Sequence, residues 1–105
     1  MIAPRRFLPS VNALLAFEAV ARLGSATLAA QELSLTQSAI SRQLKTLEAQ
    51  LNVALLDRQG RQLVLTEAGK SYVIQVRDVL NRLAQASITA RTNPIAGALN
   101  LAILP

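Results

Sequence analysis

No cysteine, histidine or tryptophan occurs among the 105 residues, and Phe7, Phe17 and Tyr72 are the only aromatics. Without cysteine there is neither a disulfide nor a thiolate site, and without histidine the commonest zinc ligand and general base is missing. Acidic residues are scattered: Glu18, Glu32, Glu48, Asp57, Glu67 and Asp78 form no neighbouring pair suited to acid–base work. The glycines do not cluster into a phosphate-cradling loop. An enzyme is therefore not expected, and neither is a cofactor or a metal. RNA binding is disfavoured as well, because a surface that stacks bases needs exposed aromatics. No uninterrupted apolar run approaches the ~18 residues of a membrane span, so a soluble chain that does not span a membrane is expected, and the lack of cysteine and histidine makes a cytoplasmic location the economical expectation. Arg5-Arg6-Phe7-Leu8 has the form of a twin-arginine export signal, but Pro9, Asn12 and Glu18 interrupt the apolar region that such a signal requires.

What is present is leucine, alanine and positive charge. Half of the chain is apolar (51%), and with so few aromatics its core must be built from leucine and alanine, which favours close-packed helices. A mainly α fold is expected. Eleven Lys and Arg against six Asp and Glu give a net charge of +5, the balance of a chain whose partner is polyanionic. On charge alone, nucleic acid and a membrane surface fit equally well.

Pro9-Ser10 offers a helix start with Ser10 as N-cap, and Val11, Leu14, Leu15, Phe17 and Ala21 recur at helical spacing until Gly24. Ser25 caps a second, short helix in which Leu28, Ala29 and Leu33 are expected to face inward, the small Ala29 and Ala30 allowing close approach. Ser34 and Leu35 make a turn. Thr36 caps a third helix whose Ile40, Leu44, Leu47 and Leu51 form one buried stripe.

The third helix has a second face. With Gln37 at zero and 100° per residue, Ser41 falls at about 40°, Lys45 at about 80°, Ser38 at about 100° and Arg42 at about 140°. The apolar residues lie between about 280° and 340°. Most polar helix faces are merely solvated, but these residues occupy the N-terminal half, where a helix entering DNA end-on meets base edges and phosphates. Arginine bonds guanine bidentately, glutamine bonds adenine in the same way, and serine lets the backbone come close. Two short helices, a tight turn and this third helix make a helix-turn-helix.

Beyond it, Ala54 to Leu56 and Leu63 to Leu65 are short apolar runs around a basic turn at Gly60, which predicts a two-stranded wing. Arg58 and Arg61 are expected at or beside its tip, where cations reach phosphates or the narrow minor groove; charges that merely blunt an edge strand are the alternative. Thr66 then caps a long helix to about Asn93, where Asn-Pro stops it. Tyr72 and Val73 can pack on the domain itself. Past them, Val76, Val79, Leu80, Leu83, Ala86 and Ala90 keep an apolar repeat that needs a cover, and a second copy of the helix is expected to supply it.

These residues carry a resemblance. Leu14 and Phe17, Gly24-Ser25, Ala29-Ala30 with Leu33, the segment TQSAISRQL from Thr36 to Leu44, Leu47-Glu48, Arg58 and Arg61, and LTEAG from Leu65 to Gly69 together resemble the N-terminal DNA-binding part of a LysR-type transcriptional regulator, from about Phe7 through Asn93. Asn52-Val53 stands where that family usually has a glycine, which puts the turn into the wing in question, and Leu56 stands where it usually has phenylalanine, which would thin the packing beneath the wing.

The resemblance implies a winged helix-turn-helix over residues 1–65, with three helices and a two-stranded wing, and a linker and dimerisation helix over 66–93. It implies that Gln37, Ser38, Ser41 and Arg42 face bases, while Ser25, Thr27, Thr36, Lys45, Arg58 and Arg61 contact the DNA backbone or serve the wing. A dimer on an inverted repeat follows, with a tetramer for the full-length protein. GALNLAILP, after Pro94, resembles the first strand of the family's effector-binding domain, so residues 94–105 are expected to be a hinge and the start of a missing sensor for a small-molecule effector. A winged-helix protein-interaction module that binds no DNA is the competing expectation.

Overall fold

The computed structural model describes residues 7–92. In chain order these form α1 (Val11–Leu23), α2 (Ala26–Leu33), α3 (Gln37–Leu51), β1 (Leu56–Gln59), β2 (Gln62–Leu65) and α4 (Glu67–Thr92). The strand expected after Pro94 lies outside the described residues.

Local chemistry sets most of these boundaries. The hydroxyls of Ser10, Ser25 and Thr36 accept from the backbone N–H three residues on, at 3.0 to 3.1 Å, satisfying one orphan donor at the start of each of the first three helices. Gly24 ends α1 at φ 71°, with its N–H donated to the Val20 carbonyl at 2.7 Å. Asn52 ends α3 in the same left-handed region, at φ 55°. Asparagine tolerates that conformation better than most residues, so the absence of glycine there leaves the turn into the wing intact.

The core sits where α1, α2, α3 and the start of α4 converge, with Phe17, Val20, Ile40, Leu47, Leu55 and Val76 fully buried. Ala13, Ala16, Ala19, Ala29 and Ala30 are buried between the helices, where larger side chains would hold the backbones apart. The Phe17 and Tyr72 rings lie 5.7 Å apart, tying α1 to α4. Leu56 packs partly buried against this core. Leu28 does not face inward: it is 47% exposed, because on an eight-residue helix it lies opposite the arc of Ala26, Ala29, Ala30 and Leu33 that packs on α1 and α3. Val11 and Leu15 also lie outside the buried arc of α1, and Leu51 is only partly covered.

The wing is a hairpin with Leu56 opposite Leu65 and Gln59 opposite Gln62, its strands extending further toward the tip than the apolar runs alone imply. Gly60 and Arg61 make the turn, with Gly60 at φ 63°. Two contacts fix the hairpin to the head. Leu63 N–H donates to the Gly24 carbonyl at 3.1 Å, and the Glu48 carboxylate accepts from the N–H groups of Leu55 and Leu56 at 2.7 and 3.2 Å.

Thr66 both ends the wing and starts α4. Its hydroxyl donates to the Ala54 carbonyl at 2.7 Å and accepts from Gly69 N–H at 3.0 Å. Val73 and Val76 then enter the head core, and Tyr72 and Leu80 are partly covered by it. Val76 therefore belongs to the head rather than to a dimer surface, since α4 stays against α1 for one turn more than the pattern suggested. Residues 81–92 are all exposed. Among the described residues no helix is long and apolar enough to cross a membrane.

Gly69 is buried at the closest approach of α4 to the strand entry, and a Cβ there would overlap the Leu55 carbonyl oxygen and crowd Leu65. Backbone cannot move aside as a flexible side chain can. Gly69→Ala is expected to cost about 1 to 3 kcal/mol, seen as a lower midpoint in a thermal melt followed by circular dichroism; an unchanged midpoint would contradict this packing.

Candidate nucleic-acid interface

Burying Ile40, Leu44 and Leu47 turns the opposite side of α3 outward, and Gln37, Ser38, Ser41, Arg42 and Lys45 are all exposed there. They line one open groove, joined by Thr46. Thr46 was not singled out from the sequence, although its place at about 180° on the same wheel puts it beside Arg42. A second cleft runs from this face to the wing, bounded by Gln37, Ser41 and Lys45 on α3 and by Leu56, Arg58 and Leu63 on the hairpin. The polar face of α3 and the wing are thus one continuous surface.

The remaining candidates divide by element. Ser25 and Thr36 are helix caps whose oxygens accept backbone N–H groups, which leaves each hydroxyl proton free to be donated. Thr27, in the first turn of α2, donates instead to Gln37 Oε1 at 3.3 Å. Arg61 lies in the wing turn, and Arg58 lies within β1 opposite Leu63, short of the tip. On α4, Val79 and Leu83 are 50% and 45% exposed and Ala86 and Ala90 are exposed, whereas Leu80 is partly covered by the head.

The charges are sorted by location. Glu18 pairs with both Arg22 and Arg77 at 3.1 Å, joining α1 to α4. Arg22 also pairs with Glu32 of α2. Lys70 pairs with Glu67 at 3.3 Å and Arg82 with Asp78 at 3.2 Å. Asp57 accepts from Arg58 N–H at 2.8 Å, and Glu48 is turned onto the wing backbone. Each of the six acids therefore has a partner. Among the described residues five cations pair with no acid: Arg91 near the end of α4, and Arg42, Lys45, Arg58 and Arg61, which all lie on α3 or the wing.

The pairs shape titration in a predictable direction. Burial pushes the Glu18 carboxyl up, but hydrogen bonds and charges from Arg22 and Arg77 outweigh it, holding the group below its ordinary value of 4.5. The Arg22 hydrogen bond lowers Glu32 likewise. Whatever stability these carboxylates add is present above their unfolded pKa and is lost as pH falls through the lowered folded values. Burial raises the Tyr72 hydroxyl, which takes no part in the surface. No group of three metal-ligating side chains occurs among the described residues.

This geometry has known counterparts. The family profile described as "Bacterial regulatory helix-turn-helix protein, lysR family" matches residues 11–70. The glycine cleavage system transcriptional activator of Escherichia coli (strain K12) is 42% identical over 98 residues, covering 93% of this chain and 32% of the relative. The chain thus spans about a third of that relative's length. Among solved structures, a CbnR_DBD-DNA complex is similar with a TM-score of 0.73 and 35% identity, over 78% of this chain and 94% of that one. The BenM_DBD/benA site 1 DNA complex is similar with a TM-score of 0.73 and 32% identity, over 78% and 96%. The chain belongs to the lysR family of bacterial regulatory helix-turn-helix proteins, and its described residues form a winged helix-turn-helix with a long helix attached.

Proposed function

We propose that this head binds double-stranded DNA sequence-specifically as part of a transcriptional regulator, with α3 in the major groove and the wing on the flanking minor groove or backbone. One observation carries the reading: within the head, the cations left unpaired are those beside the Gln/Ser face and on the wing, while the acids are paired or turned onto backbone. A duplex would supply the missing anions. Two similar domains solved with DNA support the same reading. A protein-interaction module is less favoured, because it gives no reason to keep four cations free on one surface.

Gln37, Ser38, Ser41 and Arg42 are assigned to base edges. Ser25, Thr36 and Lys45 are assigned to phosphates, and Arg58 and Arg61 to the wing contact. Thr27 is left out of the phosphate set because its single hydroxyl proton is donated to Gln37. Residues 1–65 would be the head, 66–93 the linker and 94–105 a hinge and first strand of a sensor domain. A cytoplasmic location, response to a small-molecule effector through that further domain, and tetramer formation by the whole protein belong to the same proposal.

Selection of bound duplexes from a random pool tests the reading. An enriched inverted repeat is expected, and Arg42→Ala should cost about 1 to 3 kcal/mol on it while relaxing preference at one position of each half-site. Absence of enrichment above non-specific binding would support the interaction module instead.

The dimer rests on α4. Val79, Leu83 and Ile88 are 50%, 45% and 53% exposed on a helix that outruns the head, and a second copy of the helix is the proposed cover. Val79→Lys with Leu83→Lys should leave the head folded and give a monomer in sedimentation, since unpaired cations in a helix seam are costly to bury. Preference for a full operator over a half-site should disappear with the dimer. A double variant that stays dimeric places the interface elsewhere.

A further inference from the structure

We infer that Thr27 is a positioning residue that restrains the Gln37 amide and biases which of its atoms face the DNA. The inference rests on the proposal that α3 reads bases. Gln37 is the first residue of α3 and Thr27 lies in the first turn of α2, so the bond from Thr27 Oγ1 to Gln37 Oε1 spans the two helices of the helix-turn-helix at its exposed edge. Both side chains are exposed. The long Gln37 side chain is not held by burial, and the threonine hydroxyl restrains it by a hydrogen bond.

The chemistry of the amide makes the restraint matter. Its oxygen only accepts and its nitrogen only donates, so a glutamine that is free to turn offers either atom to a base edge. With Oε1 held on α2, the two Nε2 donors are left for the groove. Their matches in the major groove are acceptors: purine N7, guanine O6 or thymine O4. The bidentate adenine contact needs Oε1 and Nε2 together at one base, so it has to share Oε1 with the Thr27 hydroxyl through the second lone pair and is weakened relative to contacts made by Nε2 alone. This revises what Gln37 would do if it were unrestrained. The restraint also removes side-chain freedom before binding rather than during it. At 3.3 Å the bond is long for a hydroxyl donor, so it biases the amide rather than locking it.

The test uses duplexes that differ at single base pairs, with the parent, Gln37→Ala, Thr27→Val and Thr27→Ser. Gln37→Ala identifies the base pair that Gln37 reads. At that pair, Thr27→Val should change the ratio of affinities among the four bases by about threefold to tenfold, the range one neutral hydrogen bond supports. Preferences at other positions and the salt slope should stay as in the parent. Thr27→Ser, which keeps the hydroxyl, should behave as the parent does. Circular dichroism checks that each variant keeps its helices. Unchanged preference in Thr27→Val overturns the inference alone. A uniform loss on all duplexes with a shallower salt slope also overturns it and makes Thr27 a phosphate contact. If Gln37→Ala alters no base preference while the parent still selects a sequence, base reading by Gln37 falls and the inference falls with it.

Discussion

The constraint on which the rest depends is that α3 has a single apolar stripe and one core to put it in. Burying Ile40 and Leu47 against the α1 side of the core, where Phe17 and Val20 are fully buried, leaves no rotation of α3 that would hide Gln37, Ser38, Ser41 or Arg42. At about 1.5 to 3 kcal/mol for each large apolar side chain fully buried, turning the helix would forfeit far more than its polar face could recover. The surface is thus fixed by the core beneath it. Function and packing are two sides of one helix.

A second dependence links that helix to the wing. The Glu48 carboxylate, one turn before the end of α3, accepts the N–H groups of Leu55 and Leu56 and so sets where β1 begins. Leu63 N–H reaches back to Gly24, and Thr66 and Gly69 close the junction to α4. Arg58 and Arg61 therefore sit on a hairpin braced from three sides, at a set place relative to Arg42 and Lys45. An acid beside a basic surface would ordinarily weaken its field. Here Glu48 has its charge turned onto backbone donors.

Much of this was legible in the sequence because it is local. Ser10, Gly24, Ser25 and Thr36 announce their helix ends within a few residues, and the separation of the two faces of α3 follows from spacing alone. What was not legible depends on partners far along the chain. The Glu18–Arg77 pair joins residues 59 apart, and nothing in either neighbourhood points to the other. Val76 was expected in a dimer seam because periodicity shows an apolar stripe without showing where its cover ends. Leu28 was expected inside because it is a leucine, whereas the arc of small alanines decides which side of α2 is buried. Asn52 looked like a disturbance until its left-handed backbone showed it taking the role of a glycine.

The central claim is that the unpaired cations of α3 and the wing are a surface for duplex DNA. The most direct measurement is the dependence of duplex affinity on salt, in the parent and in Arg58→Ala with Arg61→Ala. The account predicts a steep fall of log affinity with log salt in the parent, and a slope shallower by roughly one unit for each phosphate that the variant no longer neutralises. A parent whose affinity ignores salt, or a double variant with the parent's slope, would contradict it.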